Sequence, residues 1–241
     1  MKIIIHRAKS RGHYNHGWLD TYHTFSFGEY FDPARVHFGA LRVLNDDTVE
    51  PGQGFGLHSH HNMEIVSIPL EGDLEHLDNM GNKQLIRKGM IQVMSAGTGV
   101  RHSEYNRNED KPAKFLQIWV LPDTQEVEPR YNEASIDELV EPNRLTEIVK
   151  PYPGDGKGVW VYQQAWFSIG VLDKDAEVEY RMKSTESYGV YVFVIEGEVI
   201  IDDDIELLMR DGMGVTDASS FRIRALTDKA EVLLIEVPPL K

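Results

Sequence analysis

The amino-acid sequence predicts an all-β protein built from two antiparallel β-barrel or jelly-roll domains in tandem. Short apolar runs alternate with turn residues, helical patterns are few, and one strand–turn–strand motif occurs twice. The polar run at residues 45–47 and Pro51-Gly52 predict two of the turns. The best helical signal is a capping-box pattern at residues 135–138, which predicts either a short helix through Val140 or a solvated connector. The clearest predicted strands, rich in β-branched and aromatic residues, lie at residues 38–44, 64–70, 91–94, 115–121, 190–195 and 231–237.

The repeated motif divides the chain into two similar halves. Apolar residues run into Glu71-Gly72 in one copy and into Glu196-Gly197 in the other, and an acidic and an apolar residue follow each. A strand that ends in a tight glycine turn and then resumes has this pattern. We therefore predict an N-terminal domain at 1–122, a proline-punctuated linker at 123–143 and a C-terminal domain at 144–241.

The composition limits the chemistry that the chain can perform. None of the 241 residues is cysteine, so any metal ion must be held by nitrogen and oxygen atoms. The net charge of −14 disfavours direct binding of nucleic acids and anionic membranes, which attract positive surfaces, but it permits a small aromatic substrate or a protein partner. No apolar run approaches the roughly 18 residues of a membrane span, and we expect a cytoplasmic protein without a signal peptide.

Histidine residues are confined to one part of the chain. All ten lie at or before His102, so the two halves are expected to differ in chemical role. Residues i and i+2 of a strand point to the same face, which places the imidazoles of His58 and His60 together. His102 and Glu104 repeat this spacing. A surface pair would also produce the first pattern, but both pairs together predict one site with three imidazoles and one carboxylate, suited to a non-haem Fe(II)-like ion.

The residues around these pairs resemble the two motifs of cupins, and more closely those of the pirin family. Gly52 precedes His58 by five intervening residues, and Gly89 precedes Ser95 in the same way. The resemblance covers residues 12–122, about half of the chain, and implies a bicupin close to the bacterial pirin-like quercetin 2,3-dioxygenases. The segments that carry it are His16-Gly17-Trp18-Leu19-Asp20, His23-Thr24-Phe25-Ser26-Phe27, Gly52-Gln53-Gly54-Phe55-Gly56, Met94-Ser95-Ala96-Gly97-Thr98-Gly99, Arg101-His102-Ser103-Glu104 and Gln117-Ile118-Trp119.

The resemblance also bears on the carboxylate ligand. General cupins use a glutamate of the first motif, but Glu64 does not keep the usual spacing, and a one-residue shift turns a strand side chain to the opposite face. In pirins the carboxylate comes from the second motif, which here is Glu104. The metal ligands that the resemblance implies are therefore His58, His60, His102 and Glu104, with Glu64 as the alternative carboxylate.

The C-terminal cupin is expected to be free of metal. Aligning the two Glu-Gly copies puts Lys183 and Thr185 in place of the first two histidines and Gly189 in place of Glu64. We expect this half to cover sheet edges and to bury the apolar face of the first half.

The sequence gives less specific predictions for the positions of several other side chains. His61 should point away from the pocket, and His76 is either an outer partner of the metal site or an ordinary buried residue. The aromatic residues of the first half, Phe25, Phe27, Phe38, Phe55 and Trp119, are expected to be core first and pocket lining second.

The resemblance implies a reaction, the opening of the central ring of a flavonol by O2 with loss of carbon monoxide. One divalent ion would hold the 3-oxygen of this small aromatic substrate while Glu104, the catalytic base, takes its proton. Fe(II) is the expected ion, with Mn, Co, Ni, Cu and Zn as alternatives. The main rival is a non-enzymatic, iron-binding, redox-sensing regulator that acts through a protein partner, as eukaryotic pirins are described. A third alternative is a metal-binding cupin with an unknown substrate.

Overall fold

A computed structural model describes residues 1–154, 157–184 and 187–240. These ranges contain one 3-10 helical turn, Ala8–Ser10, and no α-helix. The first half of the chain forms β1 (Lys2–His6), β2 (Gly12–Asn15), β3 (Leu19–His23), β4 (Leu41–Val49), β5 (Gly54–His60), β6 (Glu64–Glu71), β7 (Asp73–Asp78), β8 (Lys83–Arg87), β9 (Met90–Ser95), β10 (Val100–Asn106), β11 (Ala113–Val120) and β12 (Arg130–Ser135). The second half forms β13 (Leu145–Pro151), β14 (Val159–Val161), β15 (Trp166–Asp173), β16 (Glu177–Arg181), β17 (Gly189–Glu196), β18 (Val199–Ile201), β19 (Ile205–Leu207), β20 (Gly212–Thr216), β21 (Ser220–Ala225) and β22 (Lys229–Val237).

The strands form two sandwiches, each made of a seven-stranded and a four-stranded sheet. The first sandwich has the strand orders β12-β9-β6-β11-β4-β3-β2 and β5-β10-β7-β8. The second has β1-β20-β17-β22-β15-β13-β14 and β16-β21-β18-β19. In the described parts of the chain, the parallel pair β13–β14 is the one exception to antiparallel pairing, and neither sandwich closes into a barrel. The predicted all-β fold with two antiparallel jelly-roll domains is confirmed.

Among the described residues, no helix has the length and apolar character to cross a bilayer.

Sheet membership crosses the predicted domain boundaries at two strands. β1 joins the large sheet of the second sandwich, where Lys2 lies opposite Thr216 and His6 opposite Gly212. β12 lies within the predicted linker but pairs with β9 of the first sandwich. Backbone hydrogen bonds therefore tie the start of the chain to the second half. The boundaries 1–122, 123–143 and 144–241 remain a proposal.

The Glu-Gly repeat has the same conformation in both halves. Gly72 joins β6 to β7 with φ of 72°, and Gly197 joins β17 to β18 with φ of 75°. Both values lie in the left-handed region that favours glycine. The two strand–turn–strand units are therefore equivalent, and this equivalence defines which residue of one half corresponds to which residue of the other.

Two local predictions from the sequence are wrong. The polar run 45–47, predicted as a turn, lies inside β4, where Asn45 and Asp47 are buried and face the interior of the first sandwich. At residues 135–138 the Glu138 N–H donates to Ser135 Oγ at 3.3 Å, as a capping box requires, but the chain makes only one turn and forms no helix. Ile136 is buried in the core, whereas Asp137 and Glu138 are exposed, so this turn is a connector that a single apolar side chain anchors.

Successive side chains of a strand point to opposite faces of its sheet, and both faces of each large sheet are buried. One face packs against the other half in a shared core, to which β6 contributes Val66 and β17 contributes Phe193. The opposite face points into its own sandwich. In the second sandwich an extensive apolar cluster fills that interior, whereas in the first the apolar side chains form two small clusters. Buried polar side chains occupy the remaining interior of the first sandwich, which is where the candidate site lies.

Candidate metal centre

The strands β5 and β10 bring the three predicted histidines together. His102 lies directly opposite His58, and His60 follows His58 on the same face. The ring centroids are 4.4 Å apart for His58–His102, 4.8 Å for His58–His60 and 4.9 Å for His60–His102. One nitrogen of each ring lies within 4.8 Å of the others. Two nitrogens that bind one ion at about 2.1 Å are at most about 4.2 Å apart, so small rotations would bring all three to an ion.

Gly54 allows β5 to approach β10 this closely. A β-carbon at this position would overlap the carbonyl oxygen of Glu104 and the α-carbon of Tyr105, so any other residue would push the strands apart. The register also shifts between His102 and Glu104. Such β-bulges are over-represented beside active sites, where they redirect side chains.

Hydrogen bonding and burial leave ring nitrogens of the three histidines able to offer lone pairs. His58 Nδ1 lies 2.8 Å from the Gly56 carbonyl, which can only accept, so Nδ1 carries the proton and Nε2 is free. Burial lowers the pKa of His60 to about 4, and burial with the neighbouring imidazoles lowers the pKa of His102 even further. Neither ring nitrogen of the buried His102 has a hydrogen-bond partner among the described residues. Buried nitrogens of this kind require a partner, so these residues fit a divalent cation.

Glu104 is buried and held by side-chain donors from three strands of the large sheet. Gln92 Nε2 donates to its Oε1 at 3.1 Å, and Ser67 Oγ approaches the same oxygen at 3.4 Å. Gln117 Nε2 donates to Oε2 at 2.9 Å. Burial raises the pKa of Glu104 above its ordinary value, although the nearby imidazoles oppose this shift. The carboxylate is therefore fixed in position and is a better proton acceptor than an exposed glutamate.

The predicted ligands fall into two overlapping groups of close donor atoms. His58, His60 and His102 form one group, and His102, Glu104 and His76 form the other. His102 belongs to both, and all members of the second group are buried. The structure thus brings the four predicted side chains into one region. Their assignment as ligands of a single ion remains a proposal.

His76, whose role the sequence left open, pairs with a buried carboxylate. Its Nε2 lies 3.0 Å from Asp78 Oδ2, and Asn82 Nδ2 donates to the same oxygen at 2.8 Å. The carboxylate keeps the proton on Nε2, so His76 Nδ1 is a lone-pair acceptor, and it has no partner in the described ranges. Tyr131 stacks on the ring with centroids 4.7 Å apart. Carboxylate–histidine pairs of this kind commonly orient the ligands of metal centres.

We expect His76→Phe to weaken metal affinity about 10–100-fold, the usual effect of losing an outer partner. Phenylalanine keeps the ring stacked on Tyr131 but removes both nitrogens. The dissociation constant for Ni(II), measured by titration calorimetry, tests this. His13→Phe is the matched control, because His13 also stacks on a tyrosine and pairs with a carboxylate, Asp20, but lies outside the centre. Equal Ni(II) affinity in the two variants would show that His76 has no effect on the centre.

Glu64, the alternative carboxylate, is engaged elsewhere. Its Oε2 accepts hydrogen bonds from Ser95 Oγ at 2.7 Å and from the backbone N–H of Tyr162 at 3.1 Å. It belongs to neither group of close donors found among the described residues. Burial raises the pKa of Glu64 to about 7. Glu64 thus links the first sandwich to the second half.

We expect Glu64→Gln to stabilise the protein increasingly as the pH rises. A carboxyl group with a pKa raised by folding stabilises the folded state fully below its unfolded pKa, and this contribution is lost as the pH rises through the folded value of about 7. Glutamine cannot ionise and can still accept both hydrogen bonds. Its advantage should grow from about 1 kcal/mol near pH 5 to about 3 kcal/mol near pH 8.

Urea unfolding of the metal-free protein at both pH values measures this difference. Glu50→Gln is the control, because the exposed Glu50 should give a difference that does not change with pH. A pH-independent difference for Glu64→Gln as well would contradict the raised pKa.

The donors that hold Glu104 were not predicted from the sequence. Ser67, Gln92 and Gln117 each interrupt an apolar run at a position that faces into the sandwich, and the ladder pairs Ser67 with both glutamines. The sequence signal that could have identified these donors is a single polar residue inside an apolar run. The corresponding positions of the second half are apolar and buried in its interior cluster, at Val192, Met213 and Leu234.

The second half offers different chemistry where the first has its candidate ligands. Lys183, at the position of the first histidine, pairs with Glu147 at 3.0 Å. Thr185 lies outside the described residues. By strand register, Ile223 corresponds to Glu104 and Phe221 to His102, and both are buried apolar residues. These two side chains have no ligand atoms, which supports the prediction of a metal-free second half.

A cavity of about 260 Å³ opens beside the histidines. Of the aromatic residues expected in the core, Phe25 lies in the shared core, whereas Phe27, Phe55 and Trp119 line this cavity. The Trp119 ring packs edge-on against His60 with centroids 4.9 Å apart. His58, His60 and Glu104 form part of the same wall, together with the polar side chains Asn45, Asp47 and Gln117. The cavity suits a flat, partly polar aromatic molecule.

Comparison with known proteins places this architecture in a family. The chain matches the sequence model of the pirin family over residues 5–120 and that of the quercetinase C-terminal cupin domain over residues 148–237. It is 41% identical over 238 residues to a protein named quercetin 2,3-dioxygenase from Escherichia coli (strain K12), covering 99% of this chain and 100% of that protein. A protein named putative quercetin 2,3-dioxygenase from Zymomonas mobilis is 37% identical over 233 residues, covering 97% of each.

Solved structures agree with the sequence comparison. The crystal structure of the bacterial pirin YhhW from Escherichia coli in complex with nickel(II) matches with a TM-score of 0.91 at 39% identity, over 99% of this chain and 100% of that chain. A second structure of YhhW matches with a TM-score of 0.92 over 99% of both chains. The chain belongs to the pirin family of bicupin proteins.

Proposed function

We propose that the protein is a metal-dependent dioxygenase of the pirin-like quercetinase type, which opens the central ring of a flavonol with O2. One observation carries this proposal: three imidazoles and a buried carboxylate lie together beside a cavity lined by aromatic side chains. The names of the relatives support the same reaction class. The proposal also includes a flavonol-like aromatic substrate and a cytoplasmic location.

His58, His60, His102 and Glu104 would hold one divalent ion, which would supply a Lewis acid for the substrate oxygen and, if redox-active, a site for O2. We propose Fe(II), with Mn, Co, Ni, Cu and Zn as alternatives, because the nitrogen and oxygen donors accept all of these. The nickel complex of YhhW concerns that protein and is compatible with this range.

The protein side chains perform the remaining tasks. Glu104 accepts the proton of the substrate 3-hydroxyl, and burial, which raises the pKa of Glu104, makes it a stronger base than an exposed glutamate. Gln92 and Gln117 hold the carboxylate in the orientation that this transfer requires. Phe27 and Trp119 offer aromatic faces and edges that orient a flat ring and exclude water from it.

The test is turnover of a flavonol by protein of known metal content. Metal-free protein is reconstituted anaerobically with Fe(II), Mn(II), Co(II), Ni(II) or Cu(II), then mixed with quercetin and air. We expect metal-dependent loss of the flavonol absorbance with release of carbon monoxide. Stoichiometric metal without turnover of any flavonol would contradict the proposal, and oxidation-dependent capture of a protein partner would then favour the redox-sensing regulator.

A further inference from the structure

A second cavity adjoins the one at the candidate metal centre. It has a volume of about 190 Å³, and Phe27, Asn45, Asp47 and Phe55 line both cavities. We call the second cavity the distal chamber; His23 completes part of its wall. Because the same four side chains line both spaces, the two cavities are neighbours that share part of their walls.

Two side chains in the wall of the distal chamber carry buried hydrogen-bond acceptors without partners among the described residues. Asn45 is 3% exposed and His23 is 5% exposed, and neither Asn45 Oδ1 nor His23 Nδ1 has a partner among the described residues. Burial lowers the pKa of His23 to about 4, and a backbone hydrogen bond to Phe27 engages its ring. The ring is therefore neutral, with the proton on Nε2 and a lone pair on Nδ1. Buried acceptors of this kind are costly when unpaired, so they require a donor.

The charged and polar groups of the chamber wall determine which kind of ligand group can donate hydrogen bonds there. Asp47 adds a further buried acceptor, which already receives the Thr21 hydroxyl, and the chamber wall contains no lysine or arginine. An anionic group such as a carboxylate or phosphate would lie beside the carboxyl groups of Glu29 and Asp47 with no cationic lysine or arginine in the wall to balance its charge. Neutral hydroxyl groups can donate to these oxygens and to the imidazole nitrogen.

The size and lining of the chamber suit an aromatic ring. Phe27 and Phe55 line both chambers, and a cavity of roughly 150 Å³ is large enough to bind benzene. The chamber at the candidate metal centre differs because one of its lining residues carries an unpaired donor instead of an acceptor. The buried Trp119 Nε1–H has no hydrogen-bond partner in the described ranges. The two neighbouring chambers together therefore match a ligand with an acceptor oxygen at one end and hydroxyl groups on a ring at the other.

We infer that the distal chamber is the subsite for a hydroxyl-bearing aryl ring of the substrate, with Asn45 as its specificity-determining residue. This inference rests on the proposed function. Asn45 lines both chambers and presents an unpaired acceptor, so a ring without hydroxyl groups would leave that acceptor buried and unsatisfied. Sites that are built to bond a substrate hydroxyl reject analogues without it strongly.

The test measures binding and needs no turnover. Ni(II)-loaded protein is titrated anaerobically with quercetin, which has two hydroxyls on its pendant ring, and with the flavonol that differs only in lacking both. Quenching of tryptophan fluorescence gives the two dissociation constants. We expect the wild-type protein to bind quercetin at least about tenfold more tightly.

Two variants locate the source of this preference. Asn45→Leu should reduce the ratio of the two dissociation constants to near one, mainly by weakening quercetin binding. His23→Phe keeps a ring beside Phe27 and removes only the acceptor, so it should lose part of the ratio and provides a second test if Asn45→Leu does not fold. Nickel content and thermal unfolding temperature confirm that each variant retains its centre.

The outcomes separate this inference from the proposed function. Equal wild-type affinity for the two flavonols, or a full preference retained in both variants, would overturn the inference and leave ring opening to the turnover assay. A preference that depends on Asn45 without any turnover would support the subsite and contradict the dioxygenase instead. If neither flavonol binds, both proposals fail.

Discussion

His60→Ala should lose the bound metal and, with it, flavonol turnover. The substitution removes one of three imidazoles whose ring centroids lie within 4.9 Å of each other, which leaves two imidazoles and Glu104 of the four proposed ligands. We expect metal affinity to fall by more than the 10–100-fold that follows from loss of an outer partner. Metal content after dialysis and the rate of quercetin loss measure the effect.

The neighbouring histidine is the matched control for this variant. His61 is exposed, and its Nε2 lies 2.9 Å from Glu126 Oε1 at the surface, as expected for a side chain that points away from the cavity. His61→Ala should therefore keep full metal content and turnover. Full metal occupancy in His60→Ala would show that the centre lies elsewhere.

Glu104→Gln should reduce turnover about 10²–10⁴-fold, the range associated with loss of a general base. Glutamine has nearly the same shape but cannot accept a proton. Its amide also meets the donors Gln92 and Gln117, which now hold a carboxylate in place. The rate constant for turnover should be measured on protein with matched metal content, so that any weaker binding of the ion is separated from loss of the base.

Glu64→Gln is the control that separates the two buried carboxylates. Glu64 bonds Ser95 and the backbone of Tyr162 rather than the side chains around Glu104, so its replacement should leave turnover within about twofold of the wild type. If Glu64→Gln causes the larger loss, the catalytic base is Glu64, and the assignment of Glu104 is wrong.

The features that the sequence predicted well are local ones. His58 and His60, and likewise His102 and Glu104, are brought together in pairs by two-residue alternation, which any strand imposes on its own side chains. The glycine turns after Glu71 and Glu196 depend on the φ of a single residue. Motifs of this kind also indicated the family, because the spacing of their glycine and histidine residues matches the two cupin motifs.

The prediction of a turn at residues 45–47 is wrong because the conformation of these residues depends on the strands beside them. Asn45 and Asp47 have the composition of a turn, yet β3 and β11 pair with β4 on its two sides and hold both residues in an extended strand. Their polar side chains are tolerated there because they face the cavity rather than the shared core. No local sequence pattern shows whether an inward-facing side chain will lie in the shared core or beside a cavity.

By itself, the sequence determined the all-β class, the two similar halves, the family and the residue types able to bind a cation. Only the tertiary structure decided that His76 and Asp78 stand behind the candidate ligands, that Ser67, Gln92 and Gln117 hold Glu104, and that a distal chamber adjoins the centre. The physical reason is that these contacts depend on cross-strand register and on the packing of two sheets. They join residues far apart in the chain, where neither alternation nor turn chemistry carries information.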